Sequence, residues 1–397
     1  MKTLLDRYAA KLAAQGLCAE GAPLLAGLDA GLTWNREDPA QRVLAKVVEG
    51  LNIACILYAR PAEPYFTIMN LLASKHAGEP ALRPGDSETR TFLHEFPVVP
   101  EFAPGPLIGA LRRSRVAIVP GRGVVSSGSV GPEQAFVYFS SVCFSMYVKF
   151  FSDHLAAHER GGADPVWTPV VRRALEDYRN FVTARAGERY LLEGPFGAPG
   201  EIVRAMDQAG KLTVACRLVD SFFGNISYLS GDTIYISQTG SSLDELPGCI
   251  DPCPRDNSSC AGLTASSEFP AHRAVYGRTG ARAILHGHPR FSVIMSMACA
   301  KKDSCENREH CHTRCGEGRV IGDVPVVPGE VGTGRYGICT TMPPALAGAR
   351  GAIVYGHGLF VTGERDFNEA FDRLLDIELM CADEYAYRTR TGYTHET

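Results

Sequence analysis

The residues best suited to chemistry in this 397-residue sequence are three histidines in its second half. His286-Gly287-His288 closes a short apolar run, ARAILHGHP, that reads as a buried strand stopped by proline. Alternate residues of a strand point the same way, and Gly287 lets the backbone bend, so both imidazoles can reach one ion. His357, in the Gly356-His357-Gly358 turn after a second apolar run, GAIVYGHGL, supplies a third nitrogen. Three protein ligands with a position left open is the pattern of a catalytic zinc site, whereas a structural site is closed by a fourth. A His-x-His pair alone is more often surface or core histidine than a ligand pair, so its neighbours decide its meaning.

The elements that must hold these histidines follow from periodicity. APGEIVRAMDQAG reads as a short helix stopped by Gly210, followed by strand-like TVACRLV, GNISYLS and DTIYIS. SSEFPAHRAVYGR and FNEAFDRLLDIELMCADEYAYR read as helices between and after the strands. This order predicts an α/β layering of sheet and helices, with functional residues at rigid strand ends. Upstream, the polar stretch 156–168 reads as a linker, and PVVRRALEDYRNFVTARAGERYLL as a helix.

An internal repeat spans the two halves. The segment beginning Arg36-Glu37-Asp38-Pro39 runs parallel to the one beginning Ser267-Glu268-Phe269-Pro270, and RRSRVAIVPGRG parallels AGARGAIVYGHG. Tyr58 then stands opposite His286, Arg60 opposite His288 and Arg122 opposite His357, which removes the imidazoles from the first copy.

Five marks occur in order in the second half: Gly224-Asn225-Ile226-Ser227, Thr239-Gly240, Ser266-Ser267-Glu268, His286-Gly287-His288 and Gly356-His357-Gly358. On these residues the stretch 198–385 resembles the class II aldolase/adducin family. The resemblance implies an α/β chain of two tandem class II aldolase-like α/β/α sandwich domains, the first degenerate. The expected division is 1–160 without metal ligands, a linker and helix over 161–197, and a catalytic domain over 198–397.

The resemblance further implies Zn²⁺, or another divalent metal, on His286, His288 and His357, acting as a Lewis acid on a short ketose phosphate. It makes Glu268 the acid/base and a possible ligand, and gives Asn225, Thr239, Gly240, Ser266 and Ser267 to the phosphate. Small and hydroxyl residues ahead of a helix suit an anion independently, although Ser-Ser-Glu also reads as a plain helix cap. Relatives that epimerise pentulose phosphates carry Asp where Glu268 stands, so the chain has the aldolase form. His272 reads as a supporting histidine. Tyr385 and Tyr387 lie where such aldolases recruit a proton donor, with no motif to align them.

The chain departs from the family in a cysteine-rich insert at about 299–318. Cys305, Cys311 and Cys315 make a possible second metal site, to which Cys249, Cys253 and Cys260 would add ligands if the loops meet. The C-x5-C-x3-C spacing lacks the C-x2-C of zinc knuckles and no four-cysteine cluster signature is present. Pro328 to Gly334, glycine-rich, reads as a turn near the site rim.

Composition bounds the rest. A net charge of -4 gives no argument for nucleic acid or an anionic membrane. The first 17 residues lack the apolar core of a signal peptide, and no run approaches the roughly 20 apolar residues of a membrane span. A cytoplasmic protein is the simplest expectation, with 13 cysteines present as thiols or ligands. The expected activity is zinc-dependent aldol or retro-aldol chemistry on a small hydroxy-ketone, a sugar phosphate, by a homo-oligomer. The rivals are a dehydratase, decarboxylase or 4-epimerase on the same metal, and a non-catalytic, adducin-like scaffold.

Overall fold

The structure, a computed structural model, describes residues 1–390 with the exception of 163, 221, 257, 302–303, 330–331 and 333, and of the Ala261 side chain. Part of the expected rim turn (Glu330, Val331, Thr333) and of the expected insert (Lys302, Asp303) thus lies outside the described residues. The chain divides into two compact units, 1–151 with 165–171, and 152–164 with 172–397.

The first unit opens with α1 (Lys2–Ala14), β1 (Leu24–Leu28) and β2 (Leu32–Trp34). There follow α2 (Gln41–Glu49), β3 (Cys55–Ala59), α3 (Tyr65–Lys75), β4 (Ala81–Leu82) and β5 (Phe96–Pro97). The unit goes on with α4 (Pro104–Arg113), β6 (Val116–Val119) and β7 (Gly123–Gly128). Its five-stranded sheet runs β2-β1-β3-β7-β6, every neighbour antiparallel. Leu44 and Val47 of α2 and Leu107 and Leu111 of α4 pack with Leu24, Ile56, Ala117 and Val125 of the strands.

Two long helices follow, α5 (Pro132–Glu159) and α6 (Trp167–Gly187), and the division between units falls inside each. The expected linker is shorter than 156–168, because residues 156–159 are the last turn of α5. Contrary to the expectation from composition, α5 is long and apolar enough to cross a membrane. However, 78% of its most apolar window is buried inside the protein, as in a core helix.

The second unit continues with α7 (Pro199–Ala215), β8 (Asn225–Ser230), β9 (Thr233–Ser237) and β10 (Ile250–Pro254). Next come α8 (Phe269–Tyr276), β11 (Ala283–Gly287), α9 (Arg290–Met297), the one-turn α10 (Cys311–Arg314), β12 (Arg319–Ile321) and β13 (Val324–Val327). It closes with α11 (Ile338–Leu346), the hairpin β14 (Gly351–Val354) and β15 (Gly358–Gly363), and α12 (Phe367–Arg388). The sheet order is β10-β9-β8-β11-β15-β14-β13-β12, antiparallel except between β13 and β14.

Two expectations fail here. Gly210 does not stop a helix: α7 runs through it, because a Cβ there would lie 2.1 Å from the Leu243 carbonyl oxygen and only glycine permits that contact. TVACRLV is not a strand either. Its first three residues finish α7, with the Thr213 hydroxyl bonded back to Ala209, so tertiary packing overrides β-branched preference.

The sheet is covered on both faces. Phe269 and Val275 of α8 and Ile338 and Met342 of α11 pack on Ile284, Val354 and Phe360, while α7, α9 and α12 contact the strands from the other side. The period of two along β11 decides what faces which layer. A Cβ on Gly287 would point at Leu374 of α12, so His286 and His288 face the α8 side. The strand order of the first unit recurs in the second as β9-β8-β11-β15-β14. Tyr58 pairs with Leu24 and Val125 there, as His286 here pairs with Asn225 and Phe360.

Candidate metal centre

Sheet register assembles the centre. β8, β11 and β15 set Asn225, His286 and Phe360 side by side, and the His286 ring stacks on Phe360 at 3.7 Å between centroids. His286 Nδ1 lies 3.1 Å from the Leu359 carbonyl oxygen. A carbonyl only accepts, so Nδ1 carries the proton and Nε2 keeps its lone pair. That nitrogen stands 3.2 Å from Nε2 of His288. His357 comes from the β14–β15 turn, where Gly356 takes a left-handed φ of 64° and its amide bonds the Ser296 hydroxyl of α9. Glu378 of α12 in turn accepts the Phe291 and Ser292 amides at the start of α9, which anchors the chain just after His288.

One ring nitrogen from each of His286, His288 and His357 lies within 4.8 Å of the others, and among the described residues no other such group of donors occurs. Tetrahedral zinc with nitrogens at about 2.1 Å spaces its ligands about 3.4 Å apart, so the His286–His288 pair already has the required separation. Burial comes first for both, and then neighbouring imidazole charge, of His288 and His357 on His286 and of His357 on His288; together they hold the two histidines well below the usual range. Both are therefore neutral at pH 7, the form that ligates. These donors fit a divalent cation.

Glu268 is the last residue before α8. Its Oε2 is 3.6 Å from His286 Nε2 and its Oε1 is 3.6 Å from His357 Nε2. Burial pushes this carboxyl up to about 7, against a hydrogen bond from Asn225 that pulls it down. Asn225 donates through Nδ2 at 2.6 Å, and its Oδ1 is buried without a hydrogen-bond partner. His357 is the more open edge of the site, its side chain 11% exposed against 1% for His286.

The other expected residues fall into three groups. An isolated bridge between Gln238 and Ala265 sets the Thr239-Gly240 turn beside Ser266 and Ser267. There Thr239 donates its hydroxyl to Ala265, and the Ser266 hydroxyl accepts the Glu268 amide at 3.3 Å, while Ser267 is exposed. Tyr385 is fully buried with its hydroxyl 3.0 Å from His154 Nδ1, and Tyr387 is exposed. His272, fully buried, bonds the Ser227 hydroxyl through Nδ1. In the first unit Arg60 lies over Phe66 and Arg122 over Phe102, with Tyr58 against Phe102.

Of the cysteines, Cys253 packs in the core, Cys260 is exposed and Cys311 is buried at the start of α10. What sequence reasoning missed is the packing around the three histidines and Glu268: Phe360 under His286, the Leu359 carbonyl, and the hold of Asn225 on Glu268. The strand register of β8, β11 and β15 was the signal that could have found them.

Residues 204–385 match the family model described as the class II aldolase and adducin N-terminal domain, and nothing in the first half matches a family. This segment is a class II aldolase/adducin domain. No curated protein matches the chain. Among solved structures it is similar to an L-fuculose-1-phosphate aldolase from Thermus thermophilus, at 24% identity over 47% of this chain and 94% of that one, TM-score 0.37. A sugar-phosphate aldolase from Thermotoga maritima is similar at 17% identity over 49% and 97%, TM-score 0.36.

Proposed function

We propose that this chain, whose residues 204–385 are a class II aldolase/adducin domain, is a divalent-metal-dependent lyase. Its reaction would be retro-aldol cleavage, or the reverse, of a small hydroxy-ketone carrying a phosphate. The observation that carries this reading is the convergence of three imidazole nitrogens within 4.8 Å beside a buried carboxylate.

A divalent cation, zinc being the choice for three imidazoles, would supply a Lewis acid for the substrate oxygens. The chain's own residues do the rest. Glu268 takes the proton from the substrate hydroxyl as the carbon–carbon bond opens, and returns it to carbon on the product left behind. Asn225 holds the carboxylate through Oε2, leaving Oε1 toward His357 for that transfer. The unpartnered Asn225 Oδ1 is an acceptor for a substrate hydroxyl. Thr239, Gly240, Ser266 and Ser267 form the proposed phosphate wall, supported by the bridge that joins their two segments.

The first unit is proposed to be a degenerate copy of the second. Shared strand order and matching register support this, as does Tyr58 standing in the sheet position of His286. Family precedent adds the expectation of a homo-oligomer.

The test is a panel of short ketose phosphates offered to protein purified without chelator, with products followed by NMR. An aldehyde plus a shorter ketone phosphate, absent with Glu268→Gln, supports the lyase. A dehydrated, decarboxylated or epimerised product moves the reading to another reaction on the same centre. A chain that binds no divalent metal after add-back leaves only the scaffold.

A further inference from the structure

We propose that Asp251 of β10 is a positioning residue for the substrate's phosphate, a role that rests on the phosphate wall proposed above. Its carboxylate clasps the residues that lead into the two halves of that wall. Oδ1 accepts the Gln238 side-chain amide at 2.8 Å, and Oδ2 accepts the Thr264 hydroxyl at 2.6 Å. Gln238 is followed by Thr239-Gly240, and Thr264 by Ala265-Ser266-Ser267. A carboxylate accepts through both oxygens, so one side chain serves donors on two separate segments.

Strand register delivers Asp251 to this place. In the β9–β10 ladder it stands opposite Ile236, with Ile250 opposite Ser237. The Gln238 backbone amide then bonds the Cys249 carbonyl at 2.9 Å, carrying the pairing past the end of β9. By the period of two, Asp251 shares a face with Cys253, which packs among Phe269 and Val275 of α8. The carboxylate therefore faces the layer that His286 and His288 face, and it is buried there.

The backbone joins the same segments less completely. The Thr239 amide bonds the Thr264 carbonyl and the Ser266 amide the Ser237 carbonyl, each at 3.0 Å, while the Thr239 hydroxyl reaches Ala265. Without Asp251 the Gln238 amide and the Thr264 hydroxyl lose their acceptor in a partly buried place, and the segments must shift to find another. An anion held by both segments feels their separation, and a misplacement of about 1 Å is worth up to about 10²-fold. The clasp acts on the wall, whereas Glu268 is held separately, by Asn225 of β8.

The experiment is calorimetric titration of the full chain with inorganic phosphate, alongside divalent-metal content, melting, and KM and kcat on any ketose phosphate it turns over. Asp251→Ala removes both acceptors. Asp251→Asn keeps both contacts when the Gln238 amide turns round to accept, and Thr264→Val opens one arm alone. The phosphate Kd should rise about tenfold in Asp251→Ala, less in Thr264→Val, and return to within about threefold of wild type in Asp251→Asn. KM should follow Kd, rising more than kcat falls. An unchanged Kd in Asp251→Ala, a Kd that asparagine fails to restore, or phosphate affinity lost only together with the metal and the melting transition would each overturn the role. Wild type that binds no phosphate would overturn it too, taking the wall with it and leaving the lyase to the ketose panel. Phosphate binding that responds to Asp251 in a chain with no lyase product would uphold the clasp while the lyase reading falls.

Discussion

Asn225 donates a 2.6 Å hydrogen bond to the same Glu268 oxygen that lies 3.6 Å from Nε2 of His286. The carboxylate is thus gripped on one oxygen by a neutral donor and presented to His286 and His357, a position from which the proposed base can move a proton without swinging away. Replacing Glu268 by Gln keeps the shape and the buried setting and removes the base. Turnover should fall by about 10²–10⁴-fold with divalent-metal content unchanged. Parallel loss of metal in the variant would show that Glu268 serves mainly as a ligand.

The metal itself gives the second prediction. Protein purified without chelator should carry one divalent ion per chain on the imidazoles, assayed on a background free of loop cysteines by substituting Cys299 and Cys311. The ion should disappear with His286→Ala/His288→Ala, and chelation should abolish turnover that zinc add-back restores. Equal metal content in the double variant would place the ion elsewhere.

Gly358 supplies a steric prediction. A Cβ on it would come within 2.4 Å of the Gly287 carbonyl oxygen and 2.8 Å of both His286 Cε1 and His288 Cδ2. Gly358→Ala must therefore push the two imidazole rings or the β11–β15 pairing, at a cost of about 1–3 kcal/mol, and should lower occupancy of the proposed metal centre. Gly348→Ala, where nothing lies within 4 Å, is the matched control. Indistinguishable melting and metal content in the two variants would remove the glycine from the account of the site.

His272 predicts a pH dependence of stability. Burial lowers its pKa from 6.5 to about 3, so the folded ring refuses a proton that the unfolded chain accepts. Its contribution is complete above pH 6.5 and is lost as pH falls toward 3, with a limiting slope of about 1.4 kcal/mol per pH unit. Chemical denaturation at pH 7.5 and 5.5 should show a smaller acid loss in His272→Leu than in wild type. Equal losses would mean that other groups carry the acid sensitivity.

How far the sequence could be read depended on what each residue's placement relies upon. His286 and His288 were legible because strand alternation and one glycine suffice to aim them. His357 followed from its short turn between two apolar strands. Glu268 needed the family resemblance, since Ser-Ser-Glu reads equally as a helix start, and the Ser266 hydroxyl does bond the Glu268 amide. Gly210 misled because a helix-breaking residue was serving a loop carbonyl from elsewhere in the chain. Tyr385 lies in the region where an aldolase's proton donor was sought, yet its hydroxyl is engaged by His154, 231 positions away. Contacts of that range leave no local mark.

Arg319 donates a hydrogen bond to the Ala298 carbonyl, and this tie between β12 and the end of α9 bears on how such a chain can change over generations. A segment whose two ends already meet can lengthen or shrink while its flanks stay put, and each doubling of its length costs only about 0.6 kcal/mol in closure entropy. α9 on one side and β12 on the other would not register the difference. On that entropic ground the length of the cysteine-bearing stretch can drift at small cost while β11 and the β14–β15 turn keep the three histidines where they are.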